Sequence, residues 1–279
     1  MAAQAGLETG EFQMANNIWN STAARKPPGG TGGERRAVTV RPGAGKGSSG
    51  KAQVIAPPTV AATTGDRRAK DADKELPGTF VSFEGCEGSG KTTQVEMLKD
   101  YLLAHGHDVV VTREPGGTQI GERIREMLLN PGNKGISSLT EALLFAANRS
   151  QMVKEVVKPA LEKGWVVVAD RFVDSSLVYQ GVARGLGLEA VKNLNEWATG
   201  GLEPDLTVYL DLPFDDYIQR RSGQSPDRIE SEPREFHENV RQAYNLLARM
   251  CPQRIVTLDG RAGAEAIHAR VVSTINQLV

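Results

Sequence analysis

Eight consecutive residues, Gly85-Cys86-Glu87-Gly88-Ser89-Gly90-Lys91-Thr92, match the pattern G-x-x-x-x-G-K-[ST]. The spacing has a chemical reason. Glycines let backbone N–H groups turn inward around a polyphosphate with no Cβ in the way. A helix opening at Lys91 points its positive end at the same charge. Lys91 reaches the transferred phosphate as a point charge, the Thr92 hydroxyl ligates Mg²⁺, and Thr93 continues the ATP-binding run. Average residue usage produces such a match by chance in roughly one chain of this length in a hundred, so context decides. An apolar run, Thr79–Phe83, precedes the loop, and an amphipathic stretch follows it. Gly45-Lys46, by contrast, is followed by Gly47 and has no strand before it. Residues 85–92 therefore read as an ATP site, which a molecular switch, a motor and a small-molecule kinase could all carry.

What receives the phosphate is decided downstream. Arg113-Glu114-Pro115-Gly116-Gly117-Thr118 places an arginine before a Pro-Gly turn at a strand's carboxyl end, where a ligand crevice would lie. Ordinary turn chemistry is an equally good reason for it. Arg125 follows on the next helix, where a solvated face is the plain alternative. Phe145 and Arg149 are four apart and share a helix face. An aromatic plane with a guanidinium one turn later can stack a base and bond its edge, although core plus surface is the commoner use of such a pair. Asp170-Arg171-Phe172 ends another strand. Asp170 is placed to hold the hydration shell of Mg²⁺, and Arg171 to grip an acceptor phosphate bidentately. Gly181-Val182-Ala183-Arg184-Gly185-Leu186-Gly187 then brackets one arginine with three glycines, the composition of a mobile flap that delivers a cation on closing.

These residues need a frame that gathers loop ends. Thr79–Phe83, Asp108–Thr112, Trp165–Ala169, Leu206–Leu210 and Arg254–Leu258 are short apolar runs rich in β-branched residues. Lys91–His105 carries Val95, Leu98, Leu102 and Leu103 at helical spacing. Thr140–Glu162 reads as a long helix that Pro159 kinks or ends. Leu188–Thr199 is helical and stopped by Gly200-Gly201, and Ala264–Leu278 is a closing helix. Continuous apolar strands separated by helices predict an α/β fold, a parallel sheet covered on both faces. Ligands in such sheets bind beyond the carboxyl ends of the strands.

Composition narrows the class. A formal net charge of −1, from 33 basic and 34 acidic side chains, excludes a generic nucleic-acid coat. No apolar run approaches the ~20 residues that span a bilayer. Two cysteines do not build a disulfide scaffold, so a cytoplasmic setting is expected, with no membrane partner. The averages hide a boundary. Residues 1–76 hold 11 basic and 7 acidic side chains, or +4, and only Phe12 and Trp19 among the aromatics. Their Pro-, Gly- and Ser-rich stretches predict a disordered arm. An expression leftover, a transit peptide and a native tail all remain open. Acidic Glu8 and Glu11 weigh against the transit peptide. The folded domain is expected over residues 77–279.

At Arg113–Thr118, Asp170–Phe172 and the Arg184 flap, taken with the loop at 85–92, the chain resembles thymidylate kinase. The likeness runs from about Thr79 to the C-terminus and includes Asp227-Arg228-Ile229-Glu230 and Phe236-His237-Glu238. It implies a P-loop nucleoside monophosphate kinase fold with a five-stranded parallel sheet, helices on both faces and a mobile lid at about 181–187. It implies transfer of the ATP γ-phosphoryl group to dTMP, and a homodimer formed through helices. Phe145 would stack on thymine, and Arg149 would bond the base's carbonyl edge. Ser176 and Gln180 would line the base pocket, with Tyr179 beneath the sugar and Glu87 facing it. Glu114 would join this set, and Arg113, Arg125 and Arg171 would surround the acceptor phosphate. In the bacterial-type branch the catalytic arginine comes from the flap. Here Cys86, Glu87 and Ser89 are not basic and Arg184 is present, so the implied catalytic set is Lys91, Asp170, Arg171 and Arg184, with Thr92 and Asp170 at the metal. Asn148 stands where many relatives carry an acidic residue or serine, beside Arg149.

None of His105, His107, His237 and His268 lies in the loop, the Asp-Arg motif or the flap. The implied reaction needs no general base, because a monophosphate with a second pKa of about 6 is already largely ionised. The nearest alternative is another monophosphate kinase, acting on dUMP, CMP or AMP. A nucleotide-driven switch and an inactive scaffold are the other classes. Cys86 reads either as a redox switch or, more plainly, as a small residue tolerated in the loop.

Overall fold

The five apolar runs pair into one sheet. In the computed structural model, which describes residues 76–221, 223 and 225–279, they are β1 (Thr79–Glu84), β2 (Val109–Arg113), β3 (Val166–Asp170), β4 (Leu206–Asp211) and β5 (Ile255–Asp259). The arm expected over residues 1–76 lies, all but Leu76, outside the described residues. The strand order is β2-β3-β1-β4-β5, and every pairing is parallel. Each strand runs one residue further than its apolar run, and the added residue is always charged: Glu84, Arg113, Asp170, Asp211 and Asp259. Backbone pairing continues to the rim of the sheet after the side chains have turned polar.

The register lines up that rim. Phe83 and Arg113 both stand opposite Asp170. From β1 the chain leaves toward one edge of the sheet, while from β3 it crosses to the other. The carboxyl ends of these two adjacent strands therefore flank a crevice, the position where open α/β sheets bind ligands.

Helices cover both faces. On one, Val81, Phe83, Val168 and Val208 pack against α1 (Lys91–Ala104) and the last helix, α9 (Ala264–Ile275). Leu98 and Leu102 of α1 are fully buried there, each contributing about 1.5–3 kcal/mol of burial free energy. On the other face, Phe80, Val167 and Ala169 meet Met152, Val157, Leu161 and Phe172. α2 (Gln119–Leu129) and α3 (Ser138–Met152) are capped by the Thr118 and Ser137 hydroxyls. The long helix expected over 140–162 is one rod in three registers: α3, a π-helical turn Val153–Val157, and α4 (Lys158–Leu161). Pro159 falls in the first turn of α4 and offers no N–H to the turn before it, and the wider π-helical turn there absorbs the change of register. α5 (Val173–Ser176) runs into a second π-helical stretch, Leu177–Ala183, followed by α6 (Leu188–Thr199). Beyond β4 come α7 (Phe214–Arg220) and α8 (Arg234–Met250). α8 lays Val240 and Tyr244 against Tyr209 and Ile255. Among the described residues no helix is long and apolar enough to cross a membrane.

Candidate active site

The chain must pass from the end of β1 to the start of α1 in six residues. Gly85 is obligatory: its φ is +139°, and a Cβ there would stand 2.6 Å from the Leu210 carbonyl oxygen. Gly90, at +95°, precedes α1 in the left-handed region. The buried Lys91 Nζ donates to the Cys86 carbonyl oxygen at 2.8 Å and lies 4.0 Å from Glu87. Thr92 Oγ1 donates to Asp170 Oδ2 at 2.8 Å, so the loop after β1 and the end of β3 meet oxygen to oxygen. Ser89 Oγ is buried without a hydrogen-bond partner. Burial pushes the Cys86 thiol up, against the pull of Lys91, so the thiol is held neutral and redox chemistry there is disfavoured.

Arg171 follows Asp170 with φ +77°, the single non-glycine of positive φ among the described residues. Its Nη2 donates to Glu87 Oε1 at 2.7 Å and its Nη1 to Ser175 Oγ at 3.2 Å, with the guanidinium 5.3 Å from the centre of the Tyr179 ring. Glu87 thus lies between two cations. Lys91 and then Arg171 hold its carboxyl down at about 2. The ionised Glu87 links the cation of the loop to the cation at the wall of the neighbouring cavity.

That cavity is lined by Glu87, Glu114, Arg125, Phe145, Arg171, Ser176, Tyr179 and Gln180, which is all of the expected acceptor set except Arg113 and Arg149. Arg125 Nη1 donates to the Pro115 carbonyl at 2.7 Å. Arg113 is elsewhere: it pairs with Glu122 at 3.0 Å and is more than half exposed. Asp227, Ile229, Glu230 and His237 also line the cavity. The 227–230 turn becomes a roof because Arg228 is tied to the end of α2. Its backbone N–H donates to the Leu129 carbonyl at 3.0 Å and its Nε to the Leu128 carbonyl at 2.6 Å. One arginine that touches the phosphate loop was not anticipated. Arg220 Nη1 donates to the Gly88 carbonyl at 3.0 Å, and its Nη2 to the Gly260 carbonyl at 2.9 Å. The tandem Arg220-Arg221 was its only signal, and no spacing rule distinguishes that pair from a solvated helix end.

Arg149 does not face the cavity. Its side chain is 1% exposed, and all five of its N–H groups are engaged. Nε donates to Glu114 Oε1 at 3.1 Å, Nη2 to Glu114 Oε2 and to the Phe172 carbonyl at 3.0 Å, and Nη1 to Ser176 Oγ at 2.9 Å and to Asn195 Oδ1. With no free donor, it cannot bond a base edge in this arrangement. It anchors three wall elements instead. Asn148 likewise works behind the wall: fully buried, its Oδ1 accepts from Gly116 N at 2.8 Å and fixes the turn after Glu114.

Arg184 also differs from expectation. The segment 177–183 is helical, with Gly181 buried inside it, and only Gly185 and Gly187 take positive φ. Arg184 donates from Nε and Nη2 to the two Glu141 oxygens, each at 3.1 Å, and its Nη1 lies 2.6 Å from Glu232. Two carboxylates occupy its guanidinium. Against burial, hydrogen bonds from Arg184 and Gln180 keep Glu141 low, so this clamp is charged on both sides.

Similarity to known proteins agrees with this geometry. The family model for thymidylate kinase matches residues 83–271. A thymidylate kinase of Caldanaerobacter subterraneus subsp. tengcongensis is 50% identical over 202 residues, covering 72% of this chain and 97% of that one. One of Thermoanaerobacter sp. is 46% identical over 202 residues, covering 72% and 99%. The crystal structure of thymidylate kinase from Ehrlichia chaffeensis superposes with a TM-score of 0.59 at 31% identity, over 71% of this chain and 98% of that one.

Proposed function

Because the chain belongs to the thymidylate kinase family, we propose that it transfers the γ-phosphoryl group of ATP to dTMP, giving dTDP and ADP, with the two nucleotides meeting at the crevice between β1 and β3. One observation carries this reading. Arg171, at the cavity wall, and Lys91, in the phosphate loop, converge on the single carboxylate of Glu87, at 2.7 Å and 4.0 Å. A donor in the loop and an acceptor in the cavity would present their phosphates to the same two cations.

No side chain has to remove a proton, because the attacking phosphate oxygen is already ionised. The protein's task is to align the two anions and neutralise their repulsion. Lys91 serves the donor side and Arg171 the acceptor side, with Arg125 nearby. Phe145 offers a face for thymine, Tyr179 packs against Arg171 beside the sugar, and Gln180 and Ser176 close the base end. The Thr92 hydroxyl and the Asp170 carboxylate, 2.8 Å apart, form a half-site of hard oxygens that suits Mg²⁺, which takes few protein ligands and completes its shell with water and phosphate. Magnesium bound there would neutralise charge on the β- and γ-phosphates.

The reading is tested with ATP and a panel of monophosphates, following ADP release. Turnover with dTMP should exceed that with dUMP, CMP and AMP. Equal turnover with AMP or CMP, or ADP release that needs no acceptor, would overturn it.

We assign the lid at 181–187 to closure of the acceptor pocket, with Arg184 as its fastening to α3. Its charge is already matched by Glu141 and Glu232. Arg184→Ala should therefore raise the dTMP KM by about tenfold or more and leave kcat at saturating dTMP within about threefold. Glu141 keeps Arg228 and Gln180, so the fold should survive. A collapse of kcat with KM unchanged would return Arg184 to the transferred phosphate.

The exposed Ile120 and Met127 of α2 and Leu139 and Leu143 of α3 leave an apolar face on two helices packed together, which supports the homodimer we propose. The free thiols Cys86 and Cys251 suit a cytoplasmic location.

A further inference from the structure

Arg171 needs outside support. A non-glycine residue at φ +77° is sterically strained, and it persists only where its surroundings fix it. Those surroundings are the end of β1. Arg171 N donates to the Phe83 carbonyl at 2.9 Å, and the next amide, Phe172 N, donates to Glu84 Oε1 at 2.8 Å. The other oxygen of Glu84, Oε2, accepts from Ser175 Oγ at 2.6 Å and from the Tyr244 hydroxyl at 2.8 Å. Tyr244 comes from the middle of α8, 160 positions away. Its hydroxyl lies 2.9 Å from Ser175 Oγ and 3.5 Å from Arg171 Nη1, and its ring is stacked 4.9 Å from Tyr209.

Glu84 and Tyr244 are both buried, at 0% and 3% exposure, and both stand behind the cavity wall. A carboxylate removed from water is expensive, and burial pushes its pKa up. Phe80, on the same face of β1, shows that an apolar side chain packs on this side of the sheet without that penalty. What a hydrocarbon cannot do is accept three hydrogen bonds from the turn that carries Arg171 and from the helix behind it.

We infer that Glu84 is a positioning residue for Arg171, and that Tyr244 is the strut that fixes Glu84. The pair sets the 170–175 turn and hence the direction of the guanidinium. This rests on the assignment of Arg171 to the acceptor phosphate.

The test compares Arg171→Ala with Glu84→Gln and Tyr244→Phe, each of the latter two alone and combined with Arg171→Ala, in the full chain with dTMP, ATP and Mg²⁺. Gln retains one acceptor oxygen, and Phe keeps the stacked ring while losing only the hydroxyl. In Glu84→Gln, kcat/KM for dTMP should fall by about tenfold or more, and in Tyr244→Phe by roughly threefold. The ATP KM should stay within about twofold in both. In the Arg171→Ala background each change should lose most of its effect, a coupling that general loosening of the fold would not produce. Parent-like dTMP kinetics in both variants, the same loss with Arg171 absent, or an equal rise in the ATP KM would each overturn the inference. If Glu84→Gln does not fold, Tyr244→Phe carries the same comparison. Unchanged dTMP kinetics in Arg171→Ala would sink the assignment of Arg171 itself, and the inference with it.

Discussion

Lys91→Ala is expected to lower turnover by about a hundredfold or more while the folded structure persists. The reason lies in where the ammonium sits. It is almost fully buried, bonded to the Cys86 carbonyl within its own loop and 4.0 Å from Glu87. Neither partner needs it for folding. The Cys86 carbonyl lies at the mouth of the loop, and Glu87 keeps Arg171 at 2.7 Å. Glu87 is also about half exposed, and a pair of that kind is worth at most about 1 kcal/mol. The melting temperature should therefore move by only a few degrees. The chemical loss is another matter. Arg171 serves the acceptor side and Arg220 is bonded to two backbone carbonyls, so among the described residues no other cation that touches the loop is free to replace Lys91 at the donor phosphates. Single-turnover transfer at saturating ATP and dTMP, alongside a thermal melt, measures both quantities. A higher ATP KM with kcat intact would confine Lys91 to ground-state binding. Turnover within about threefold of the parent would remove Lys91 from the chemistry altogether.

The strands were legible because a buried parallel sheet writes itself as apolar runs, and the runs stopped one residue short because the ligand crevice begins where they end. Glu84, Asp170 and Asp211 are strand residues by pairing and site or rim residues by chemistry. The phosphate loop was legible because its glycines answer a local backbone demand, as Gly85 against the Leu210 carbonyl shows. Partners distant in the chain were not legible. Phe145 and Arg149 were correctly placed on one helix, but periodicity does not say that one faces a cavity while the other is sealed against Glu114, 35 positions away. Arg184 fits a flap by its glycines, yet Glu141 lies 43 positions upstream on another helix. α8 was not legible because its buried Phe236, Val240, Ala243 and Tyr244 are interleaved with charged and polar residues that dilute any apolar run. The π-helical stretch through Gly181 also has no sequence signature, since a glycine there reads as a loop.

Arg149→Ala is expected to destabilise the fold by about 3–5 kcal/mol, and by more as the pH rises. Replacing the guanidinium strands a carboxylate that is as buried as its partner: both side chains are 1% exposed. Burial pushes Glu114 up to about 7 even with Arg149 pulling it down by charge and hydrogen bonds. In the unfolded chain the same group titrates near the ordinary value of 4.5. Between these values the folded protein holds a proton that the unfolded chain has lost, so this group's contribution to stability declines as the pH climbs from about 4.5 through about 7. Without Arg149 only burial and the repulsion of Glu84 remain, and both raise the value further. The decline then continues above 7. Urea unfolding of parent and variant at about pH 6 and about pH 8.5 should show a gap that widens at the higher pH. The same substitution frees Ser176, Asn195 and the Phe172 carbonyl from their shared partner, so any loss of preference for dTMP over dUMP should accompany the loss of stability. Arg149→Lys keeps the charge but not the fork that spans both Glu114 oxygens, and should recover only part of the stability. A stability gap below about 1 kcal/mol that does not change with pH, together with a collapsed dTMP preference, would mean that the guanidinium leaves its buried partners and reads the base directly.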